Sequence, residues 1–430
     1  KLTWIMPILI FPLFGGIFYV VYRQQNFSPK IINRFLQIDA DRFHHVDHFD
    51  NPLNNKPSKY LYNLNFPLYQ KTHTTFLPSG DSMYQAMLQD LKSAKRFIFL
   101  EFFIINKGVM WDTILDILKE KVSEGVEVKL IYDDFGSSTL PYRYHHHLRK
   151  IGIDAVPFNP MRLHLNFAMN YRDHRKIVVI DGRIGYTGGI NIGDEYINLI
   201  QPFGHWLDTG IRLEGDAVFG LTINFLENYR FQTNRKINYL DYKSHEKAPL
   251  DGYVSPFNDA PLDKELVSKN MYLSLINEAT SSIKITTPYL IIDNELSEAL
   301  KLAAKSGIDV QIIIPFVPDK KIVFIVTESY VPELMQAGVK VYRYTPGFVH
   351  SKMMIIDDRE ALIGTCNLDF RSLYLHFENM VYLYQSDAIK DMNHFFDETV
   401  KQSAIITTIR RKNPLYRLLQ VVLRGFASLL

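Results

Sequence analysis

The chain has 430 residues, of which 47% are apolar and 22% are charged. This length allows about two domains, and the apolar and aromatic content excludes a predominantly disordered chain. Basic and acidic residues nearly cancel to a net charge of +2, which disfavours a polycation built to bind nucleic acid. The single cysteine, Cys366, excludes an internal disulfide and any zinc site that needs several cysteines.

The N-terminal residues predict a membrane-spanning helix over 1–25. No residue from Leu2 to Tyr22 is charged, and this stretch has about the length that spans a bilayer. A signal peptide and a buried core helix are the alternatives, but no small-residue cleavage site follows Tyr22. The basic residues that follow favour a cytoplasmic location for the rest of the chain: Arg23, Lys30 and Arg34.

A long internal repeat follows a membrane-proximal segment at 26–72. The first copy, at 73–250, contains RFIFLEFFI, VEVKLIYD and HRKIVVIDGRIGYTGGIN; the second, at 251–412, contains SIKITTPYLI, IDVQIIIP and HSKMMIIDDREALIGTCN. Each copy predicts the order strand, helix, strand, helix, strand, strand, which is typical of an α/β fold. We therefore expect two α/β lobes related by a pseudo-twofold axis.

The C-terminal segment at 413–430 predicts an amphipathic basic helix. Its leucines and valines alternate with Arg417 and Arg424 at helical spacing. Such a helix suits either a bilayer surface or ordinary packing on the domain, and the pattern alone does not separate the two.

Each copy of the repeat ends in the same pattern: His, one residue, Lys, four residues, Asp, six residues, Gly, two residues, Asn. The matched positions are His174, Lys176, Asp181, Gly188 and Asn191 in the first copy, and His350, Lys352, Asp357, Gly364 and Asn367 in the second. Identical spacing in matching places of a repeat is far more specific than a lone HxK. Residues two apart on a strand share a face, so each His and its Lys are expected to point together.

Bringing the copies together would place two imidazoles, two ammonium groups and two carboxamides in one cleft. Cations and amides suit phosphoryl oxygens, while one imidazole can attack phosphorus and the other can protonate the leaving oxygen. This chemistry requires no metal or cofactor, and we predict none. The histidines at 44–45 and 145–147 are not interpreted as a metal site, because they lack suitably placed carboxylates or cysteines.

A nucleophilic imidazole needs its other ring nitrogen held by an acceptor, usually a carboxylate. Asp208 in HWLD and Glu378 in HFEN begin equivalent predicted strands. We therefore predict that Asp208 orients His174 and that Glu378 orients His350. The motif acids Asp181 and Asp357 either join the catalytic set or are structural, since they lie past the end of the strand.

The duplicated motif resembles that of the phospholipase D superfamily, and NYRDHRKIVVIDG, GGINIGDEY and GTCNLDFRS resemble bacterial cardiolipin synthases of that type. The resemblance implies two phospholipase D-like lobes behind a membrane hairpin, of which 1–25 would be the second helix. It implies that two phosphatidylglycerol molecules are converted to cardiolipin and glycerol through a phosphohistidine. His174 would be the nucleophile and His350 the general acid and base. The implied phosphoryl-binding and supporting residues are Lys176, Lys352, Asn191, Asn367 and Thr365.

Three alternatives remain at this stage. A phospholipid hydrolase or another head-group transferase would use the same site. A nuclease of the superfamily would need a basic groove, and a non-catalytic lipid-binding protein would have no use for two intact motifs. Leu207 and His376 depart from the family pattern and bear on head-group contacts. The sequence leaves open the identity of the nucleophile, the acceptor lipid, the exclusion of water and the oligomeric state.

Overall fold

The computed structural model describes residues 28–45, 51, 53–160, 171–246, 248–263, 265–408 and 413–427, with isolated positions between 8 and 16. The membrane-spanning helix predicted over 1–25 lies outside the described residues, apart from those isolated positions. None of the helices within the described ranges has the length and apolar character needed to cross a bilayer.

In the described part of the chain, two helices precede the first lobe, α1 (Pro29–His45) and α2 (Lys56–Asn63). The buried Arg42 on α1 donates from Nε to Glu227 Oε1 at 2.8 Å and from a terminal nitrogen to Asn258 Oδ1 at 3.0 Å. Glu227 belongs to the first lobe and Asn258 to the second, so α1 contacts both lobes. The segment predicted as membrane-proximal thus contains helices that pack on the folded domain.

The first lobe is built around a mixed sheet. Its elements are β1 (Thr72–Leu77), α3 (Gly80–Ser93), β2 (Phe97–Phe102), α4 (Val109–Ser123), β3 (Glu127–Asp133), α5 (Tyr144–Lys150), β4 (Asp154–Phe158), β5 (Ile177–Ile180), β6 (Ile184–Gly188), β7 (His205–Leu207), β8 (Gly210–Gly215) and α6 (Val218–Thr233). Seven strands form the sheet, in the order β1-β8-β6-β5-β2-β3-β4. The strands β2, β3 and β4 run parallel because α4 and α5 cross over between them.

The second lobe repeats this plan. Its elements are β9 (Tyr253–Asp259), α7 (Val267–Glu278), β10 (Ser282–Thr286), β11 (Leu290–Ile291), α8 (Asn294–Lys305), β12 (Asp309–Pro315), α9 (Lys321–Gln336), β13 (Lys340–Tyr344), β14 (Gly347–Val349), β15 (Met353–Ile356), β16 (Glu360–Gly364), β17 (Leu368–Asp369), α10 (Phe370–Tyr374), β18 (Glu378–Tyr384), α11 (Ala388–Lys401), β19 (Ser403–Ile405) and, beyond the lobe, α12 (Pro414–Gly425). Eight strands form its sheet, in the order β19-β13-β12-β10-β15-β16-β18-β9. The predicted two-lobed α/β fold is confirmed.

Each copy of the repeat also contains a hairpin strand that the sequence analysis did not separate from the motif. The strand β5 turns into β6 through Asp181 and Gly182, with φ values of 55° and 68°. The strand β15 turns into β16 through Asp357 and Asp358, with φ values of 52° and 54°. Two successive positive φ values produce the tight hairpin turn that Asp and Gly favour.

The two sheets enclose a shared apolar core. One buried cluster combines Ile211 and Leu213 of β8 with Ile363 of β16 and Val381 of β18. Separate clusters lie under the helices on the outer face of each sheet. Because the central cluster draws on both sheets, the lobes form one packed body, and the motif segments meet at its edge.

Candidate active site

The motif histidines and lysines lie in the extended segments that lead into β5 and β15. All four side chains are buried: His174 is 6% exposed, His350 is 8% exposed, and each lysine is 1% exposed. The Lys176 ammonium donates to the His174 carbonyl at 2.6 Å, and Lys352 donates in the same way to the His350 carbonyl. Each lysine is therefore held beside the histidine that precedes it, as the spacing predicts.

The carboxylate partners of the histidines are the reverse of those predicted. His174 Nδ1 lies 2.9 and 3.0 Å from the two carboxylate oxygens of Glu378, and His350 Nδ1 lies 2.6 Å from Asp208 Oδ2. The prediction that Asp208 orients His174 and Glu378 orients His350 is wrong. Each imidazole is held by an acid from the opposite lobe.

Backbone pairing between the lobes explains this exchange. The strand β7 pairs in parallel with β14, with Leu207 opposite Val349, so the next residues, Asp208 and His350, face each other. The His350 amide donates to the Leu207 carbonyl at 2.7 Å.

A matching bridge lies at the other histidine, where Asp173 pairs with Phe377. There the His174 amide donates to the Phe377 carbonyl at 2.9 Å, which brings Glu378 to the imidazole. In both places the register between lobes sets the partner.

Gly189 makes room for the Asp208–His350 pair. A Cβ atom at this position would lie 2.1 Å from Asp208 Oδ1 and 2.9 Å from the His350 carbonyl oxygen. Any larger residue would therefore push the carboxylate away from the imidazole. The second glycine of TGGIN is thus required by the site itself.

The other supporting residues surround the same groups. Thr365 donates its hydroxyl to Glu378 Oε2, and Asn191 donates to Tyr196 Oη at 2.9 Å. Asn367 donates to Asp369 Oδ2 at 3.0 Å, while its buried carbonyl oxygen has no hydrogen-bond partner among the described residues. Each carboxamide nitrogen has two protons, so one proton on each remains available to a bound oxyanion.

The motif acids Asp181 and Asp357 lie away from this site. Each acid lies five positions after its motif lysine, which corresponds to about 17 Å along a strand. Asp181 accepts from the backbone amides of residues 95–97 at 2.7 to 2.9 Å, and Asp357 accepts from those of residues 280–282 at 2.7 to 2.9 Å. Their inclusion among the catalytic residues is corrected: they fix the start of β2 and β10 at the far end of the sheets.

Burial controls the charges in the site. It lowers the pKa of His174 well below its usual value, although Glu378 opposes this shift. Burial and the neighbouring Lys352 lower the pKa of His350 to about 4, although Asp208 opposes this shift. The two imidazoles are therefore neutral at neutral pH.

The two carboxylates remain ionised beside them. Burial alone would raise the pKa of Glu378, but His174 and His376 hold it below its usual range, and His350 and Lys352 do the same for Asp208. An ionised carboxylate only accepts hydrogen bonds, so Nδ1 of each imidazole carries the proton. Each Nε2 then has a free lone pair, as a nucleophile or base requires.

The ammonium groups are also strongly affected. Burial lowers the pKa of Lys176 to about 7 and that of Lys352 to about 8, with partial compensation from Glu378 and Asp208. The charge of Lys352 is among the causes that lower the pKa of Lys176. The two ammonium groups are therefore close enough to affect each other, and an anion bound between them would stabilise the charged form of both.

Aromatic side chains that the sequence analysis did not single out surround the imidazoles. The ring of Phe103 lies 5.2 Å from that of His174, while Trp206 and Tyr196 lie 5.2 and 5.6 Å from His350. These rings contribute to the burial of the two imidazoles. Trp206 directly precedes Leu207 in the HWLD segment that supplies Asp208, so its place beside the site could have been inferred from that motif.

His376 is a further imidazole at the site, and it is partly buried. Its ring lies 5.5 Å from that of His174, and its Nδ1 lies 3.6 Å from Glu378 Oε1. The three residues have ligand atoms within 4.8 Å of one another, the arrangement that a metal ion would need. The hydrogen bond between His174 and Glu378 already accounts for two of them, so their arrangement needs no ion to explain it.

Comparisons with known proteins identify the family of the chain. A family model described as "Cardiolipin synthase, PLD-like domain" matches residues 87–201 and 272–400. Cardiolipin synthase 2 of Bacillus anthracis is 38% identical over 97% of this chain and 84% of its own length. A cardiolipin synthase of Halalkalibacterium halodurans is 38% identical over 91% of this chain and 82% of its own.

A solved structure shares the fold at much lower identity. The phosphatidylserine synthase of Haemophilus influenzae has a TM-score of 0.65 and 17% identity, and the match covers 87% of this chain and 98% of that one. This likeness supports the two-lobed architecture, while the family follows from the closer relatives. The chain belongs to the cardiolipin synthase family of proteins with a phospholipase D-like domain.

Proposed function

We propose that the protein is a phosphatidyltransferase that converts two phosphatidylglycerol molecules into cardiolipin and glycerol. One observation carries the proposal. Two neutral imidazoles, each held at Nδ1 by a carboxylate of the opposite lobe, share a buried site with two ammonium groups. Such a site suits a reaction that exchanges one phosphodiester for another, because it supplies a nucleophile, an acid and an anion-binding pair.

In the first half of the reaction, His174 Nε2 attacks the phosphorus of phosphatidylglycerol. The bond from phosphorus to the glycerol oxygen breaks, and a protonated His350 donates its Nε2 proton to that oxygen. The phosphodiester anion bound between Lys176 and Lys352 offsets their positive charge, which favours protonation of His350 when substrate binds. Asn191 and Asn367 donate to the remaining phosphoryl oxygens.

In the second half, His350 takes the proton from the hydroxyl of a second phosphatidylglycerol. That oxygen attacks the phosphohistidine, the bond from phosphorus to nitrogen breaks, and cardiolipin forms. His174 returns to its neutral form, and His350 is protonated again. The reaction exchanges one phosphodiester for another, so no nucleotide is consumed.

The decisive experiment incubates the purified full chain with phosphatidylglycerol alone and analyses the lipids. We expect cardiolipin and glycerol in equal amounts. His174→Asn should abolish both products, while His146→Asn, at an exposed histidine on α5, should leave them unchanged. Phosphatidic acid as the sole lipid product would instead indicate a hydrolase.

The identity of the nucleophile is tested by trapping the intermediate. The protein is incubated with labelled phosphatidylglycerol, and the reaction is stopped with a denaturant that contains no acid. The chain is then digested, and its peptides are searched for a phosphatidyl group on histidine. We expect the group on His174, and its accumulation in His350→Asn, which lacks the base for the second half-reaction. A group found on His350 would exchange the two roles.

We further propose that residues 1–25 anchor the protein in the cell membrane, with the catalytic lobes on the cytoplasmic side. The uncharged stretch and the bases that follow it support this orientation. Protease added to sealed spheroplasts should leave the lobes intact, whereas protease added to inverted vesicles should digest them. Digestion in spheroplasts would place the lobes on the other side.

A further inference from the structure

The C-terminal helix α12 is attached to the second lobe by its polar face. Three side chains spaced four residues apart make these contacts: Tyr416 Oη donates to Glu328 Oε2 at 2.9 Å, Gln420 donates to the Ile325 carbonyl at 3.2 Å, and Arg424 donates to both carboxylate oxygens of Glu333 at 2.6 and 3.2 Å. A helix on a water-soluble surface normally buries its apolar face. The packing of α12 differs from that arrangement, although Leu423 near its C-terminal end packs against the apolar core of the second lobe.

The apolar face of α12 points away from the protein. Leu415 is 72% exposed, Val421 is 66% exposed, and Leu418 and Leu419 are also exposed. Apolar area left in water costs about 25 cal/mol per Å², so four such side chains on one helix indicate a surface that receives a partner.

A groove extends this surface beside α12. It has a volume of about 940 Å³ and lies between α12, α9 and β19. Phe316, Ile405 and Val421 supply apolar walls, and Arg417 supplies a guanidinium group. The lining also includes Arg343 and Arg424, with Glu328 and Glu333 paired to them, so the groove offers both apolar and charged surface and leaves Arg417 to face an anionic amphiphile.

The groove lies beside the candidate active site. Phe316 follows β12, and three residues later Asp319 accepts a hydrogen bond from Tyr289 Oη at 2.5 Å. The charge of Asp319 also acts on the pKa of Lys352 in the catalytic set. The Phe316 wall of the groove also contacts the strand that leads to His350, because the Phe316 amide donates to the Gly347 carbonyl of β14 at 3.3 Å.

We propose that α12 seats this edge of the second lobe on the surface of an anionic bilayer. Leu415, Leu418 and Leu419 enter the acyl boundary, while Arg417 and the exposed Lys321 face anionic head groups. A second copy of the chain is disfavoured as the occupant, because pairing α12 with itself would bring like charges together. The proposal goes beyond the transfer reaction: it fixes how the second lobe is oriented on the lipid surface.

The test places a fluorophore on α12 of the full chain reconstituted into vesicles. Leu418→Cys is labelled with an environment-sensitive dye; the native Cys366 is fully buried and does not compete. The matched control is Leu240→Cys, an exposed leucine on the first lobe. Brominated phosphatidylglycerol should quench roughly half or more of the emission at 418 and leave the control unchanged, since an interfacial helix lies about 5–10 Å into the boundary.

Two further conditions make the result decisive. Phosphatidylcholine vesicles, or Arg417→Gln in phosphatidylglycerol vesicles, should reduce the quenching at 418. Equal emission at 418 and 240 would overturn the proposal, and so would a blue-shifted dye at 418 that brominated lipid does not quench. That second result would show that protein, from a second copy or from this chain, covers the face. No turnover is measured, so the outcome is independent of the proposed reaction.

Discussion

At the scale of single residues, the site depends on contacts that cross between the lobes. The HxK spacing of the sequence correctly predicts that each lysine lies beside its histidine. It does not predict the carboxylate partners, because these are set by the register of β7 on β14 and of Asp173 on Phe377. Pairing between segments that are far apart in sequence leaves no local pattern that sequence analysis could detect.

The corrected pairing is tested by comparing Glu378→Gln with Asp208→Asn. Both should lower turnover by about three to four orders of magnitude, because each replaces an acceptor-only carboxylate by an amide that can also donate and so no longer fixes the imidazole tautomer. Proton NMR should show that Glu378→Gln changes the chemical shift of the Nδ1 proton of His174 and leaves the chemical shift of the His350 Nδ1 proton unchanged. A change at the His350 proton in Glu378→Gln would instead support the pairing within each lobe that the sequence predicts.

The lysines predict an alkaline limit for the reaction. Their pKa values of about 7 and about 8 are lowered by burial, so the ammonium forms are lost as the pH rises through this range. The phosphodiester stays anionic throughout, so kcat/KM should fall as the pH rises above about 7. The fall in kcat should come at a higher pH, because bound substrate favours the charged lysines. A kcat/KM that stays flat to pH 10 would contradict this assignment.

At the scale of elements, the motif acids connect strands rather than perform chemistry. Asp357 accepts hydrogen bonds from the backbone and hydroxyl groups of Thr280 and Ser281 and from the Ser282 amide. The sequence shows only that these acids recur with the histidines. A recurring position in a repeat can preserve the fold as well as the reaction, and only the contacts separate the two.

Asp357→Asn should therefore reduce stability more than activity. Asparagine tolerates the positive φ of this turn but loses the ionised acceptor, so we expect a loss of about 1–3 kcal/mol in the free energy of unfolding. Turnover per folded molecule should stay near that of the parent chain.

Burial would raise the pKa of Asp357, but its hydrogen bonds lower it to about 2. Its contribution is thus complete above pH 4 and is lost as the pH falls through about 2. Urea unfolding across this range measures it.

At the scale of the whole molecule, the shared core couples the lobes. The repeat and its α/β alternation were predictable, since hydrophobic periodicity is local. The face on which the two sheets meet was not, because strands such as β5 and β15 are apolar and buried on both faces. The membrane-spanning helix over 1–25 stays a prediction.

Ile211→Ala tests the coupling. Ile211 lies in the central cluster, so its loss should cost about 2–5 kcal/mol and speed amide exchange in β16 and β18 of the other lobe. Ile98→Ala is the matched control, because Ile98 lies in the outer cluster of the first lobe. If the faster amide exchange were confined to the first lobe in both variants, the lobes would open independently.

The exchange of carboxylates between lobes also bears on how such a chain can arise. A single lobe carries a histidine and an acid that cannot reach each other, so an ancestor of half this length would work only by meeting its own copy across a twofold axis. Joining two copies in one chain makes that meeting intramolecular and independent of concentration. The two halves of a fused chain also no longer need the same sequence, and here they differ. The longer Glu378 faces one histidine, and the shorter Asp208 faces the other.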